Sequence, residues 1–142
     1  MEFIWHVFFY GLVVGVIHYI LIGILYMNPF VDGLYKKAQE GNPSVRIRTS
    51  ASNYLTKQFL GTQIEIWIIT ASYFYLRQYL PFTSFESGLI LGLIFGGIRI
   101  YERFWNTYIQ TNYPTALLVV EFINGIIGTF IITISLSLMP VV

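Results

Sequence analysis

The chain has 142 residues, 56% of them hydrophobic and 11% charged, with a mean hydropathy of +0.66. A soluble domain carries about 25% charged residues, so this composition belongs in a membrane; four helical spans of about 20 residues each take on the order of 80 positions and leave no room among the rest for a separate catalytic domain. The absence of cysteine excludes disulfides, thiol nucleophiles, iron–sulfur clusters and thiolate zinc sites, while a net charge of +1 is silent about partners.

Val7 to Met27 is the first predicted span, uncharged throughout, with His18 inside it. It lacks a basic leader and a small-x-small cleavage site and is longer than the apolar core of a signal peptide, so it is expected to stay as a span. Asn28-Pro29 breaks this helix, Asp32 to Glu40 suits a short helix carrying Lys36 and Lys37, and Gly41-Asn42-Pro43 breaks the chain again. The whole connection, 28–58, holds Lys36, Lys37, Arg46, Arg48 and Lys57 against two acidic residues. Those basic residues fit anionic lipid headgroups, and they also suffice simply to set topology.

Phe59 to Leu80 is the second predicted span, with Glu65 inside, Arg77 near its far end and Pro81 closing it. The third reads as uncharged only over the 12 residues from Ser87 to Ile98. That is too short to cross about 30 Å of hydrocarbon, so the span extends to about Asn106 and carries Arg99 into the membrane. Pro114 suits a first helical turn, and Thr115 to Met139 forms the fourth span, with Glu121 and Asn124 inside and Pro140 at its end. Aromatic residues gather near the predicted ends as interfacial belts do: Phe3 and Trp5; Tyr26 and Phe30; Tyr73, Tyr75, Tyr79 and Phe82; Tyr101, Trp105 and Tyr108. The expected architecture is all-α: one transmembrane domain over 1–142, a four-helix bundle with spans at about 7–27, 59–80, 87–106 and 115–139. The basic residues put loops one and three in the cytoplasm and both termini outside, in a plasma or inner membrane.

The informative feature is the depth of the polar residues. At about 1.5 Å rise per residue, His18 lies roughly 13 Å from the cytoplasmic end of its span, Glu65 roughly 9 Å, and Arg99 and Glu121 roughly 11 Å each. Each span therefore places one ionisable group in one layer. Small residues share the faces of these groups: Gly11 and Gly15 with His18; Gly61 and Ser72 with Glu65; Gly88, Gly92 and Gly96 with Arg99 and Arg103; Gly125 and Gly128 with Glu121. Small residues at four-residue spacing let helices approach closely in lipid. A lone charge facing lipid costs about 2.5–3.5 kcal/mol or more, so these faces are expected to point inward. Arg99 would then be countered by Glu65 and Glu121, with His18 and Asn124 adjacent, and the formal charge of the cluster sums to minus one. That leftover charge invites a proton. The same residues serve a plainer purpose equally well, the glycines as packing and the ion pair as a register device. Thr129, Thr133, Ser135 and Ser137 of span four either line a polar route outward or bond to their own helix.

Enzyme signatures are missing: there is no H-E-x-x-H, G-x-S-x-G, P-loop or dinucleotide fingerprint. His6 and His18 lie twelve apart without a nearby carboxylate, so neither a metal nor a cofactor is expected. The basic residues form no stripe suited to nucleic acid.

The order of Gly23-Ile-Leu-Tyr26-Met-Asn-Pro-Phe30 at the exit of span one, a basic linker, a plain second span, the glycine-rich stretch Gly88 to Gly97, and a fourth span opening on Pro114 and carrying Phe122-Ile-Asn124-Gly125 resembles a bacterial family of small four-helix integral membrane proteins catalogued as a domain of unknown function. The resemblance covers nearly the whole chain and implies four helices without supplying an activity. Small multidrug-resistance transporters are a more distant comparison: their membrane carboxylate belongs to the first helix, where this chain has His18. Two function classes stay open, a small transporter or channel with a protonatable site, and a structural or accessory subunit whose polar layer fixes helix assembly; a lipid-modifying enzyme is the third. The partners expected are the lipid bilayer and either a second copy or another membrane protein.

Overall fold

The computed structural model describes residues 1–45 and 51–140, with the side chains of all but 51–54. Arg46 and Arg48 of the basic connection lie outside the described residues. The chain is all-helical there: α1 (Glu2–Tyr26), α2 (Pro29–Gly41), α3 (Ala51–Arg77), α4 (Ser84–Gly96), a π-helical turn (Gly97–Tyr101), α5 (Glu102–Gln110) and α6 (Thr115–Ser137). Helix α4, the π turn and α5 run on as one rod of 27 residues, so the described residues build five helical rods.

Local chemistry sets the ends. Asn28 caps α2, its Oδ1 accepting the Val31 N–H at 3.0 Å, and Pro29 occupies the first helical position, where its missing N–H costs nothing. Lys36 pairs with Asp32 one turn earlier at 2.7 Å. Helix α4 begins with a capping box: the Glu86 N–H donates to Thr83 Oγ1 at 3.3 Å and the Thr83 N–H donates to Glu86 Oε2 at 2.9 Å. Helices α1 and α3 start earlier than the hydrophobic pattern predicts, at Glu2 and Ala51, because no glycine or proline stands between those residues and the apolar runs.

Three rods are long and apolar enough to cross a membrane: Glu2–Tyr26, Ser84–Gln110 and Thr115–Ser137. Helix α3 has the length, 27 residues, but Gln58, Thr62, Gln63, Glu65 and Thr70 dilute its apolar content. The four-span bundle therefore reduces, on length and hydropathy together, to three qualifying helices and a more polar α3 packed among them.

Helix α6 is the hub, touching every other helix. Helix α1 pairs with α3 and α4 with α6, and α1 joins the two pairs by lying against α6. The glycines make these seams close. A methyl group on Gly11 or Gly15 would overlap Trp67 or Gln63 of α3; on Gly88 or Gly92 it would run into Ser137, Thr133 and Phe130 of α6; and Gly96, Gly125 and Gly128 sit against Ile126, Ile100 and Ile22. The Gln63 amide donates to the Gly11 carbonyl at 2.9 Å, a bond that the bare backbone permits.

A dry core of Val14, Ile66, Ile69, Tyr73, Leu91, Ile132 and Leu136 fills one half of the bundle. Tyr73, expected in an interfacial belt, is instead wholly buried there, with its hydroxyl donating to the Ser84 carbonyl at 3.3 Å. The other belt residues are mostly exposed, as are Phe8, Phe9, Ile20, Ile24, Ile64, Ile68 and Leu93 on the rod flanks. Apolar surface on this scale is what a bilayer covers.

Candidate functional site

The half of the bundle beside α2 is open. A cleft of about 880 Å³ runs in between α1, α3, α6 and the rod around Arg99, and His18, Glu65, Arg99, Glu121 and Asn124 all line it. Its volume lies within the range of small-molecule sites, about 300–1,000 Å³.

Arg99 and Glu65 form the central contact. Arg99 donates from Nε to Glu65 Oε1 and from Nη2 to Glu65 Oε2, each at 2.5 Å, a fork-on-fork pairing across two helices. Its Nη1 donates to Thr129 Oγ1 at 2.7 Å, and Thr129 passes its own proton to the Gly125 carbonyl at 2.9 Å. Arg99 sits in the middle of the π turn. Such turns are rare and occur often at functional sites, because the extra residue per turn re-aims the side chains around it; here Arg99 and Arg103 both reach the cleft. The preceding Gly96-Gly97 pair is the sequence signal for that irregularity.

Glu121 does not counter Arg99. Its Oε1 accepts from two phenols, Tyr35 of α2 and Tyr113 of the turn before α6, each at 2.6 Å, while its Oε2 faces Arg103 Nη2 at 3.7 Å. The expected single cluster is thus two: a bidentate ion pair on the floor and a tyrosine-clamped carboxylate near the mouth. With Arg103 counted, two arginines balance two glutamates, and the charge of minus one that invited a proton disappears. The phenols of Tyr35 and Tyr113 are pushed well above the ordinary tyrosine range, first by burial and then by donating to a carboxylate.

His18 is buried against Gly128, whose missing side chain makes room for the imidazole. Asn124 is 7% exposed, and its Nδ2 has no hydrogen-bond partner among the described residues. Thr129, Thr133 and Ser137 do not form a route outward. They are buried in the seam against the α4 glycines and bond to carbonyls of their own helix.

Sequence reasoning missed Arg103 as a partner of Glu121, and missed Tyr35 and Tyr113 altogether. Arg103 carried a signal, since it continues the glycine stripe one turn past Arg99. Tyr35 carried none, because 86 residues separate it from Glu121; Tyr113 stands only eight residues before Glu121, next to Pro114. Among the described residues no three His, Asp or Glu side chains converge in the manner of a metal site.

No protein-family model, no curated protein and no solved structure matches this chain.

Proposed function

We propose that the protein is a four-span membrane carrier that binds a small charged molecule in the cleft, with the Glu65–Arg99 pair as the group the substrate must engage or displace. The observation that carries this reading is the reach of the cleft: its lining includes both members of an ion pair that belongs to two different helical rods. Helix α3 is the fourth span, its polar face turned to the cleft and its Leu60, Ile64 and Ile68 turned outward. The basic residues Lys36, Lys37 and Lys57 support a mouth on the cytoplasmic side and termini opposite.

A polar layer that served helix assembly alone would favour closure, since ionisable groups in membranes are least costly when packed against partners. Glu65 is instead half-exposed to the cleft, which favours the carrier over the accessory-subunit reading. The test is flux of charged probes, soluble and lipid-borne, across proteoliposomes. Wild type is expected to move at least one probe faster than protein-free vesicles, and a Glu65→Gln, Glu121→Gln double variant to lose that activity; equal flux for both proteins would sink the proposal.

A further inference from the structure

The charge and the shape of the cleft together specify an occupant. Its lining carries Lys57, Arg99 and Arg103 against Glu65 and Glu121, a surplus of one positive charge. The surplus lies toward the mouth. Arg103 is 74% exposed and stands 3.7 Å from Glu121, beyond good hydrogen-bonding distance, and Lys57, also on the lining, is exposed. Deeper in, Arg99 commits three of its five N–H groups to Glu65 and Thr129. Asn124, 7% exposed and with its amide nitrogen unpartnered, lines the same space. These are donors and cations in search of acceptor oxygens.

The walls differ from those of a site for a freely soluble anion. Ile20, Ile24 and Leu55 line the cleft and are also among the exposed apolar residues of the bundle exterior. The cleft is therefore open sideways as well as toward α2, along an apolar rim between α1 and α3. An occupant that uses both features has an anionic oxygen group at one end and a hydrocarbon chain at the other.

We infer that the cleft binds an amphiphile, a lipid whose phosphate or carboxylate headgroup is held by Arg103, Lys57 and the spare donors of Arg99 and Asn124, and whose chain leaves between α1 and α3. This rests on reading the cleft as a substrate site in a membrane-spanning bundle, and it names the class of that substrate.

The experiment is lipid retention by the purified full-length chain. Detergent-solubilised protein is equilibrated with phosphatidylglycerol or with phosphatidylcholine of the same acyl chains, and bound lipid is counted by native mass spectrometry, with inorganic phosphate as the soluble competitor. Phosphatidylglycerol is expected to bind more tightly, and Arg103→Gln and Lys57→Gln each to weaken it about fivefold, the equivalent of about 1 kcal/mol per cation. Both side chains are exposed, so these variants keep the fold. Ile20→Trp, which narrows the lateral opening, is expected to lower lipid binding and leave any phosphate binding unchanged. Equal retention of the two lipids, or Gln variants that bind as wild type does, overturns the inference; so does inorganic phosphate that binds alone as tightly as the lipid does, which would mark a soluble anion as the ligand. Lipid preference without flux keeps this inference and removes the carrier, while flux of soluble probes without lipid preference does the reverse.

Discussion

Cutting the Glu65–Arg99 pair from either side should destabilise the protein, and cutting it from both should nearly restore it. Removing one partner of a fully buried ion pair costs about 3–5 kcal/mol, because the other charge is left in a poor solvent, whereas exposed pairs contribute about 0–1 kcal/mol. Arg99 is 19% exposed and Glu65 44%, so this pair lies between the two limits and is asymmetric. Glu65→Gln strands the more buried charge and is expected to cost about 3 kcal/mol. Arg99→Gln strands the half-solvated carboxylate and also breaks the bond to Thr129, for about 2 kcal/mol. The double variant leaves two neutral amides able to bond each other, at about 1 kcal/mol below wild type, so the coupling between the sites is about 4 kcal/mol. Unfolding in mixed micelles of increasing denaturing detergent, followed by circular dichroism, measures all three. If the double variant loses as much as the two singles added together, the contact contributes nothing and the account of the cleft floor is wrong.

Gly88→Ala and Gly61→Ala should change stability in opposite directions in the same assay: a Cβ at Gly88 would lie 3.1 Å from the Thr133 carbonyl, a backbone atom that cannot step aside, at a cost of about 1–3 kcal/mol. Gly61 meets nothing within 4 Å, so alanine there should gain about 0.5–1 kcal/mol of helix propensity. Tyr35→Phe removes one of the two phenols on Glu121 and should speed amide exchange throughout α2, whose tie to α6 it weakens; unchanged exchange would mean that α2 is held by other contacts. The phenols of Tyr35 and Tyr113 lose their protons less readily in the folded state than in the unfolded one, so their contribution is complete below the ordinary tyrosine pKa of about 10 and is lost as pH rises beyond it. The protection of the α2 amides, relative to base-catalysed exchange of a free chain, should accordingly fall at strongly alkaline pH in wild type and change less in the Tyr35→Phe, Tyr113→Phe double variant.

What the sequence reveals about this molecule follows the range of the interactions. Helices and caps are local, so Asn28-Pro29, Pro114 and the apolar runs mark most boundaries. The glycine spacing at Gly88, Gly92 and Gly96 marks a packing face because the spacing is itself helical. That Arg99 meets a carboxylate follows from depth, since few polar groups share that layer and each needs a partner. Depth does not say which carboxylate goes to which arginine. The π turn rotates Arg99 relative to Arg103, and the folding-back of α2 delivers a tyrosine that no periodicity connects to Glu121. Buried Tyr73 is a related case: an aromatic residue near a span end fits a belt or a core equally well, and only its neighbours decide.

The position of Glu65 on α3, the most polar of the long helices, also concerns the making of the protein. Its partner Arg99 comes 34 residues later in the chain, an interval of about 2–7 seconds at ordinary translation rates. For that time the first two long helices exist without the guanidinium that neutralises their carboxylate, and Glu65 has only water, headgroups or a borrowed proton to lean on. Docking α3 through this pair therefore waits on a residue of the second helix pair, which makes the Glu65–Arg99 contact a late step in assembly.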